Sequence, residues 1–328
     1  MKKICVLLTL ISALVADGIS GLSYFRYTGG NFDNDKHSGF YIDRAYLTYK
    51  NTISDKSSFK FQSDIQNNGE AFYMYIKNVK MDYSLMDNTK ISIGLQGMNI
   101  FNVQEKTWGY RFISKSSMDL NSWSASADLG LGLYQSFGNI LLSVLYTNGE
   151  GYKKKSSDDH ENLSVQAIYG EKRLDKNDGF NLGGIFSTLN YMDNLGVDQR
   201  ATIMGVFSGW AGIGARLGFE YNIGTDLNLE AIEDNDETDD DETEMYGSSS
   251  SLMSIYANYE LFFMDHLSVL VRYDILDTGI ANNQTSKLIT GLSYKCDGGI
   301  IISPNMKQET VGDEDPMTSI NLTFQLSF

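Results

Sequence analysis

Proline, cysteine and histidine are scarce in this chain of 328 residues: two, two and three respectively. Each scarcity excludes something. Cys5 lies inside an N-terminal apolar stretch, which leaves Cys296 alone in the remainder, so no intrachain disulfide framework is expected. The histidines, His37, His160 and His266, all fall in or beside predicted loops or turns, and no G-x-S-x-G or H-E-x-x-H motif occurs. No catalytic group, cofactor or specific metal site is therefore assigned, and the chain reads as a non-enzyme. Beyond its first residues there is no run of about 18 apolar residues, which excludes a transmembrane helix. Basic residues are also outnumbered, 26 to 42, and a net charge of −16 disfavours nucleic acid as a partner.

What is abundant is glycine at 31, tyrosine at 20 and phenylalanine at 17, a composition suited to strands and turns. The chain reads as all-β. Lys2 and Lys3 precede the apolar run Ile4 to Val15, and the small residues Ala16 and Gly18 follow. That is the layout of a secretory signal peptide over residues 1–16, with cleavage after Ala16 or Gly18. Its removal takes two lysines and no acid ahead of Asp17, so −16 becomes −18.

The body, residues 17–328, alternates between apolar and polar positions, the period of a half-buried strand. At the C-terminus Ile320, Leu322, Phe324, Leu326 and Phe328 share one face, with Ser319, Asn321, Thr323, Gln325 and Ser327 on the other. The same pattern runs through Ser122–Leu133, Ala211–Tyr221, Met253–Leu261 and Leu267–Ile275. Weaker versions cover Gly18–Thr28, Phe40–Lys50, Phe59–Ile65, Ala71–Tyr83, Lys90–Gly97, Asn139–Asn148, Asn162–Glu171, Gly179–Leu189, Arg200–Ser208, Ser286–Cys296 and Gly298–Asn305. Together they make roughly sixteen segments of about ten residues, the dyad repeat of a transmembrane barrel strand. Counts of fourteen and eighteen stay open.

The connections sort by length. Gly29–Gly39, Asn99–Asn121, Gly149–Glu161, Asn190–Gln199, Gly224–Ser251, Leu276–Thr285 and Met306–Met317 are long, while Asn51–Asp55, Phe137–Asn139, Ser208-Gly209, Phe262–His266 and Asp297–Gly299 are short. Only the break after Asp64 is out of sequence. In a closed antiparallel barrel all long connections share one rim, the arrangement of bacterial outer-membrane barrels. Ten residues rising ~3.3 Å each at a tilt of ~40° give a wall of roughly 25 Å, the height of the lipid-facing band. The predicted architecture is thus a closed transmembrane antiparallel β-barrel in the bacterial outer membrane, its partners outer-membrane lipid and lipopolysaccharide. The strand ending in Phe328 is expected to engage the barrel-assembly machinery.

The stretch Phe40 to Ile65, with Arg44-Ala45-Tyr46-Leu47 leading through a short turn to a strand carrying Asp64, resembles an early hairpin of the phosphate-selective porins O and P. Gly97 to Leu120, Ala127–Gly130 and Thr147–Tyr152 resemble porin-like relatives of the same broad group. The resemblance covers most of the first half of the chain. It implies a sixteen-stranded homotrimeric channel whose third external loop folds into the lumen. That loop is expected at residues 98–121, with Glu105, Lys106, Trp108, Arg111 and Lys115 at the constriction.

Strand parity names inward, pore-lining candidates: Arg44, Lys60, Asp64, Asp128, Arg216, Glu220, Glu260, Arg272, Asp274 and Lys295. This set is balanced in sign, where a phosphate-selective pore should show a one-signed ladder. The expected function is accordingly passive diffusion of small hydrophilic solutes or ions. The alternative is a scaffold or adhesin working through its external loops. Glu233–Glu244, within an external loop at about 225–250, is an acidic block of the solvated kind. A calcium loop aligned on Asp234, Asp236 and Thr238 would need glycine where Asp239 stands.

Overall fold

A computed structural model describes residues 18–30, 38–67, 71–153, 161–192, 198–227 and 249–328. Residues 1–16, where a signal peptide is expected, the acidic block Glu233–Glu244, His37 and His160 lie outside the described residues. The strands are β1 (Ile19–Gly30), β2 (Gly39–Ser54), β3 (Ser57–Asn67), β4 (Phe72–Met86), β5 (Thr89–Gly97), β6 (Ala127–Phe137), β7 (Ile140–Thr147) and β8 (Asn162–Gly170). They continue as β9 (Gly179–Met192), β10 (Asp198–Gly212), β11 (Ala215–Thr225), β12 (Ser249–Glu260), β13 (Leu267–Asp277), β14 (Gln284–Cys296), β15 (Ile300–Val311) and β16 (Met317–Ser327). Each pairs with its sequence neighbour, and β1 pairs with β16, closing a sixteen-stranded antiparallel barrel.

Closure answers the problem of edge strands, since every strand has two partners. At the seam Leu22 faces Ser327, and Gly21 and Phe328 exchange backbone hydrogen bonds of 3.1 and 3.2 Å. The terminal alternation is realised: Ile320, Leu322, Leu326 and Phe328 are exposed on the outer face, while Asn321 and Thr323 are buried. Leu129, Leu131 and Leu133 on β6 and Val269, Val271 and Tyr273 on β13 extend the same exposed apolar band. An outer surface of this kind is a liability in water and what hydrocarbon demands.

Three sequence expectations on the wall shift. First, the hairpin between β10 and β11 turns at Ile213-Gly214, not Ser208-Gly209. Both turn residues take positive φ, 49° and 77°, as the two-residue hairpin turn that matches strand twist requires. Isoleucine is a poor residue for that conformation, so the sequence signal was absent. The turn reverses parity: Ala211 pairs with Arg216 and faces inward. Second, β6 begins at Ala127, and Trp123, expected on the apolar outer face, is buried inside. Third, β15 runs to Val311, leaving a connection of residues 312–316, shorter than Met306–Met317.

Candidate constriction and lumen

The connection between β5 and β6, residues 98–126, turns back into the barrel. It carries two short helices, α1 (Asn102–Trp108) and α2 (Ser117–Leu120). Gly109 ends α1 at φ 74°, where its N–H bonds the Glu105 carbonyl at 2.9 Å. The Ser116 hydroxyl caps α2 by accepting the Asp119 N–H at 3.3 Å.

Two apolar clusters hold this segment against one side of the lumen. Ile100, Phe101, Val103, Met118 and Trp123 pack on Ile168, Ile185, Ile203, Phe207, Leu252 and Leu276, inward residues of β8 to β13. Trp108, Tyr110, Phe112 and Ile113 pack with Tyr24, Tyr256, Leu270 and Ile289. Buried loop carbonyls need donors, and the wall supplies them. Tyr256 donates to the Gln104 carbonyl at 2.9 Å, Arg216 to that of Trp108 at 3.1 Å, and Arg272 to that of Lys115 at 2.6 Å. Asn99 donates to the Ser143 hydroxyl at 3.0 Å and accepts from Ser164 at 2.7 Å.

The opposite flank of the segment is charged. Arg111 bonds Glu105 and, at 2.7 Å, Asp119, with Lys115 3.8 Å from the same carboxylate. On the wall, Arg44 pairs with Asp64 at 2.7 Å, and the Tyr152 hydroxyl lies 3.3 Å from Asp64 and 3.4 Å from Arg44. Lys77 lies 3.7 Å over the Tyr152 ring and donates to Ser126. Arg44, Lys115, Asp119, Glu150 and Tyr152 border an open cleft between loop and wall.

These surroundings set protonation. Burial alone would raise the Asp119 carboxyl, but Arg111 and then Lys115 hold it down at about 2. Burial lowers Lys115, with Asp119 opposing and Arg44 and Arg111 adding to the fall. Burial and the neighbouring Arg173 and Lys172 lower Lys106. Burial opposes the charge on Arg111, but Asp119 together with Tyr46 and Tyr24 raises it.

The residues expected at the constriction therefore divide. Glu105, Arg111 and Lys115 lie on the charged flank. Trp108 does not: at 1% exposure its indole donates to the Ser114 carbonyl at 3.0 Å, with the Arg272 guanidinium 5.3 Å from its ring. Lys106 lies within electrostatic reach of Arg173 and Lys172 in the β8–β9 connection. Among the wall residues, Arg44 and Asp64 face this flank, while Glu220, Arg272 and Asp274 are buried beneath the inward segment. Asp128 is also buried, accepting the Gly149 N–H at 2.6 Å. Arg216 braces the end of α1, and Lys60 sits farther down the wall, its amine bonded to Gln62. Glu260 and Lys295 lie exposed at the short-turn rim, Glu260 accepting the His266 N–H at 3.3 Å.

Sequence parity missed Asp43 and Lys77, and bulges are why. Tyr24 faces Arg44 while Phe25 faces Ile42, which makes Asp43 the extra residue; Lys77 is the extra one between Ile76 and Asn78. A bulge adds one residue and resets alternation. Asp43 thereby reaches Arg26 at 3.0 Å, and Lys77 and Asn78 are both buried. Lys80, Asp82 and Lys90 follow the bulge in β4 and its partner β5 and were missed with it.

No family model matches the chain, and no curated protein matches it. Solved structures do. An anion-selective porin from Comamonas acidovorans aligns at TM-score 0.69 and 11% identity over 94% of this chain and 98% of that one. Salmonella typhi OmpF, solved in complex with daunomycin, aligns at 0.67 and 14% over 94% and 97%. An in-vitro folded OmpT of Vibrio cholerae, an outer membrane protein described in its trimer form, aligns at 0.61 and 11% over 94% and 98%. At such identities the likeness is one of fold.

Proposed function

We propose that the chain is a passive diffusion channel for small hydrophilic solutes or ions in the bacterial outer membrane. The observation that carries this reading is the asymmetry of the lumen. The inward segment seals itself with apolar side chains to β8–β14 and to Tyr24 on β1, while its flank toward β2–β4 is lined by Arg111, Glu105, Asp119 and Lys115 opposite Arg44 and Asp64. Apolar packing stiffens one half, and water and ions pass through the other. These charges, paired within the segment and within the wall, line the opening and tune ion preference without a dedicated binding step. The exposed apolar band and the closed strand ladder support the membrane placement.

The outer-membrane proteins it resembles in fold, and the trimer form of one of them, support assembly as a homotrimer bounded by lipid and lipopolysaccharide. The strand ending in Phe328 closes the barrel and is the natural signal for assembly machinery. Phosphate selectivity is not part of the reading, since Arg44 is neutralised by Asp64 and Arg111 by two carboxylates.

The apolar filling of the β8–β13 half supports a second reading, a barrel scaffold that works through its loops. Current through a planar bilayer separates the two. Discrete conductance steps from the purified full chain support the channel, and a folded barrel that passes none supports the scaffold.

A further inference from the structure

Residues 171–178, between β8 and β9, form the longest connection on the short-turn rim, where the neighbouring turns Gly138-Asn139 and Ile213-Gly214 have two residues each. The connection is tied to itself. The Glu171 N–H bonds the Phe180 carbonyl at 2.8 Å, the Arg173 N–H bonds the Glu171 carboxylate at 2.7 Å, and the Arg173 guanidinium grips both oxygens of Asp175 at 2.7 Å. Lys176 and Asn177 both donate their N–H to the Arg173 carbonyl at 2.9 Å. This fold leaves Lys172, Lys176 and Asp178 exposed and buries Leu174 to 3% exposure. Three wall residues then meet the connection and α1 at once. Asn181 on β9 donates to the Glu171 carbonyl at 2.9 Å and to the Thr107 hydroxyl at 3.3 Å. Arg216 on β11 donates to the Leu174 carbonyl at 3.4 Å and to the Trp108 carbonyl at 3.1 Å. Gly209 on β10 is the bare floor between them: a Cβ there would stand 2.6 Å from the Thr107 methyl, 2.8 Å from a Leu174 methyl and 3.0 Å from the Asn181 amide oxygen.

Resting on the channel reading, we infer that the β8–β9 connection is a brace that positions α1 from the short-turn side, so that a change made at that mouth reaches the constriction. Leu174, Asn181 and Arg216 are its positioning residues. A helix as short as α1 has little stability of its own, and what packs against it decides whether it holds. The Thr107 hydroxyl passes the contact back along the helix by donating to the Val103 carbonyl at 3.0 Å. Glu105 lies between those two residues in sequence and pairs with Arg111 on the charged flank. Loosening the brace therefore frees one of the two carboxylates that hold Arg111.

The test is hydrogen exchange of the full chain in neutral detergent, read by mass spectrometry on peptides covering residues 102–109. In Leu174→Ala the α1 amides should exchange at least about tenfold faster, with α2 and the strand amides of β9 and β10 unmoved. Gly209→Ala, which drives a methyl between Thr107 and Leu174, should act in the same direction, while Asn139→Ala on the neighbouring turn should not. Heat-dependent gel mobility shows that each variant has closed its barrel. Unchanged α1 exchange in Leu174→Ala overturns the brace. Exchange needs no conduction, so a silent bilayer refutes the channel and not the brace. In a conducting bilayer Leu174→Ala should also shift the reversal potential in a salt gradient, which a contact that only stabilises the fold would leave alone. Faster exchange with an unmoved potential overturns the link to the constriction.

Discussion

The Arg272 guanidinium donates to the Lys115 backbone carbonyl at 2.6 Å while gripping both oxygens of Asp274 at 2.6 and 2.8 Å. One wall residue thereby fixes the inward segment and neutralises a buried acid on its own strand. Arg272→Ala should leave Asp274 without its counter-ion, held only by the Ser254 hydroxyl, at a cost of about 3–5 kcal/mol. Replacing both partners by leucine should recover part of that. Thermal unfolding followed by the heat shift of gel mobility checks the order: wild type, then the double variant, then Arg272→Ala.

Arg111 stands on the charged flank of the inward segment, between Glu105 and Asp119. Arg111→Glu turns a cation between Glu105 and Asp119 into a third acid, and the reversal potential in a salt gradient should move toward cation preference. Lys106→Glu, on the side toward the β8–β9 connection, should move it less. An unchanged potential for Arg111→Glu would place residues 98–126 outside the conduction path.

Asp119 gives a pH signature. Its carboxyl is held at about 2, below the ~3.9 of an unfolded aspartate, so the folded state binds the proton less tightly. The resulting stabilisation is full above about pH 4 and is lost as pH falls through about 2. Current noise from a loosened segment should therefore rise below about pH 4. Asp119→Asn should show that noise already at neutral pH, and equal traces for the two proteins there would refute the pairing.

The hairpin at Ile213-Gly214 stores strain that a different residue would release. Ile213 is 86% exposed at φ 49°, so its side chain gains little from packing and pays for the left-handed backbone. Ile213→Asn is expected to stabilise the barrel by about 1 kcal/mol, read from the midpoint of urea unfolding.

How much of this was legible in the sequence follows from which face had one job. The outer face meets a single apolar environment, so Leu129, Leu131 and Leu133, or Ile320 and Leu322, declare their strands and the closed all-β fold. The inner face has two jobs. Ile203, Phe207 and Leu252 look inward to pack an internal loop, while Lys60 and Lys80 look inward to water, and alternation alone cannot tell these roles apart. Asp43 and Lys77 were hidden by bulges, whose extra residue carries no composition signal. Trp108 had the look of constriction lining, yet a large ring with one polar edge suits a core once Ser114 satisfies its N–H. The length and position of the segment after β5 were readable; which of its flanks faces the wall was set by contacts more than a hundred residues away, such as Tyr256 with Gln104.

Single-channel recording of the purified full chain in planar bilayers bears most directly on the open half of the lumen between residues 98–126 and β2–β4. Discrete, long-lived conductance steps whose ion preference is shifted by Arg111→Glu are expected. A heat-modifiable, correctly closed barrel that inserts and yet passes no current would contradict it.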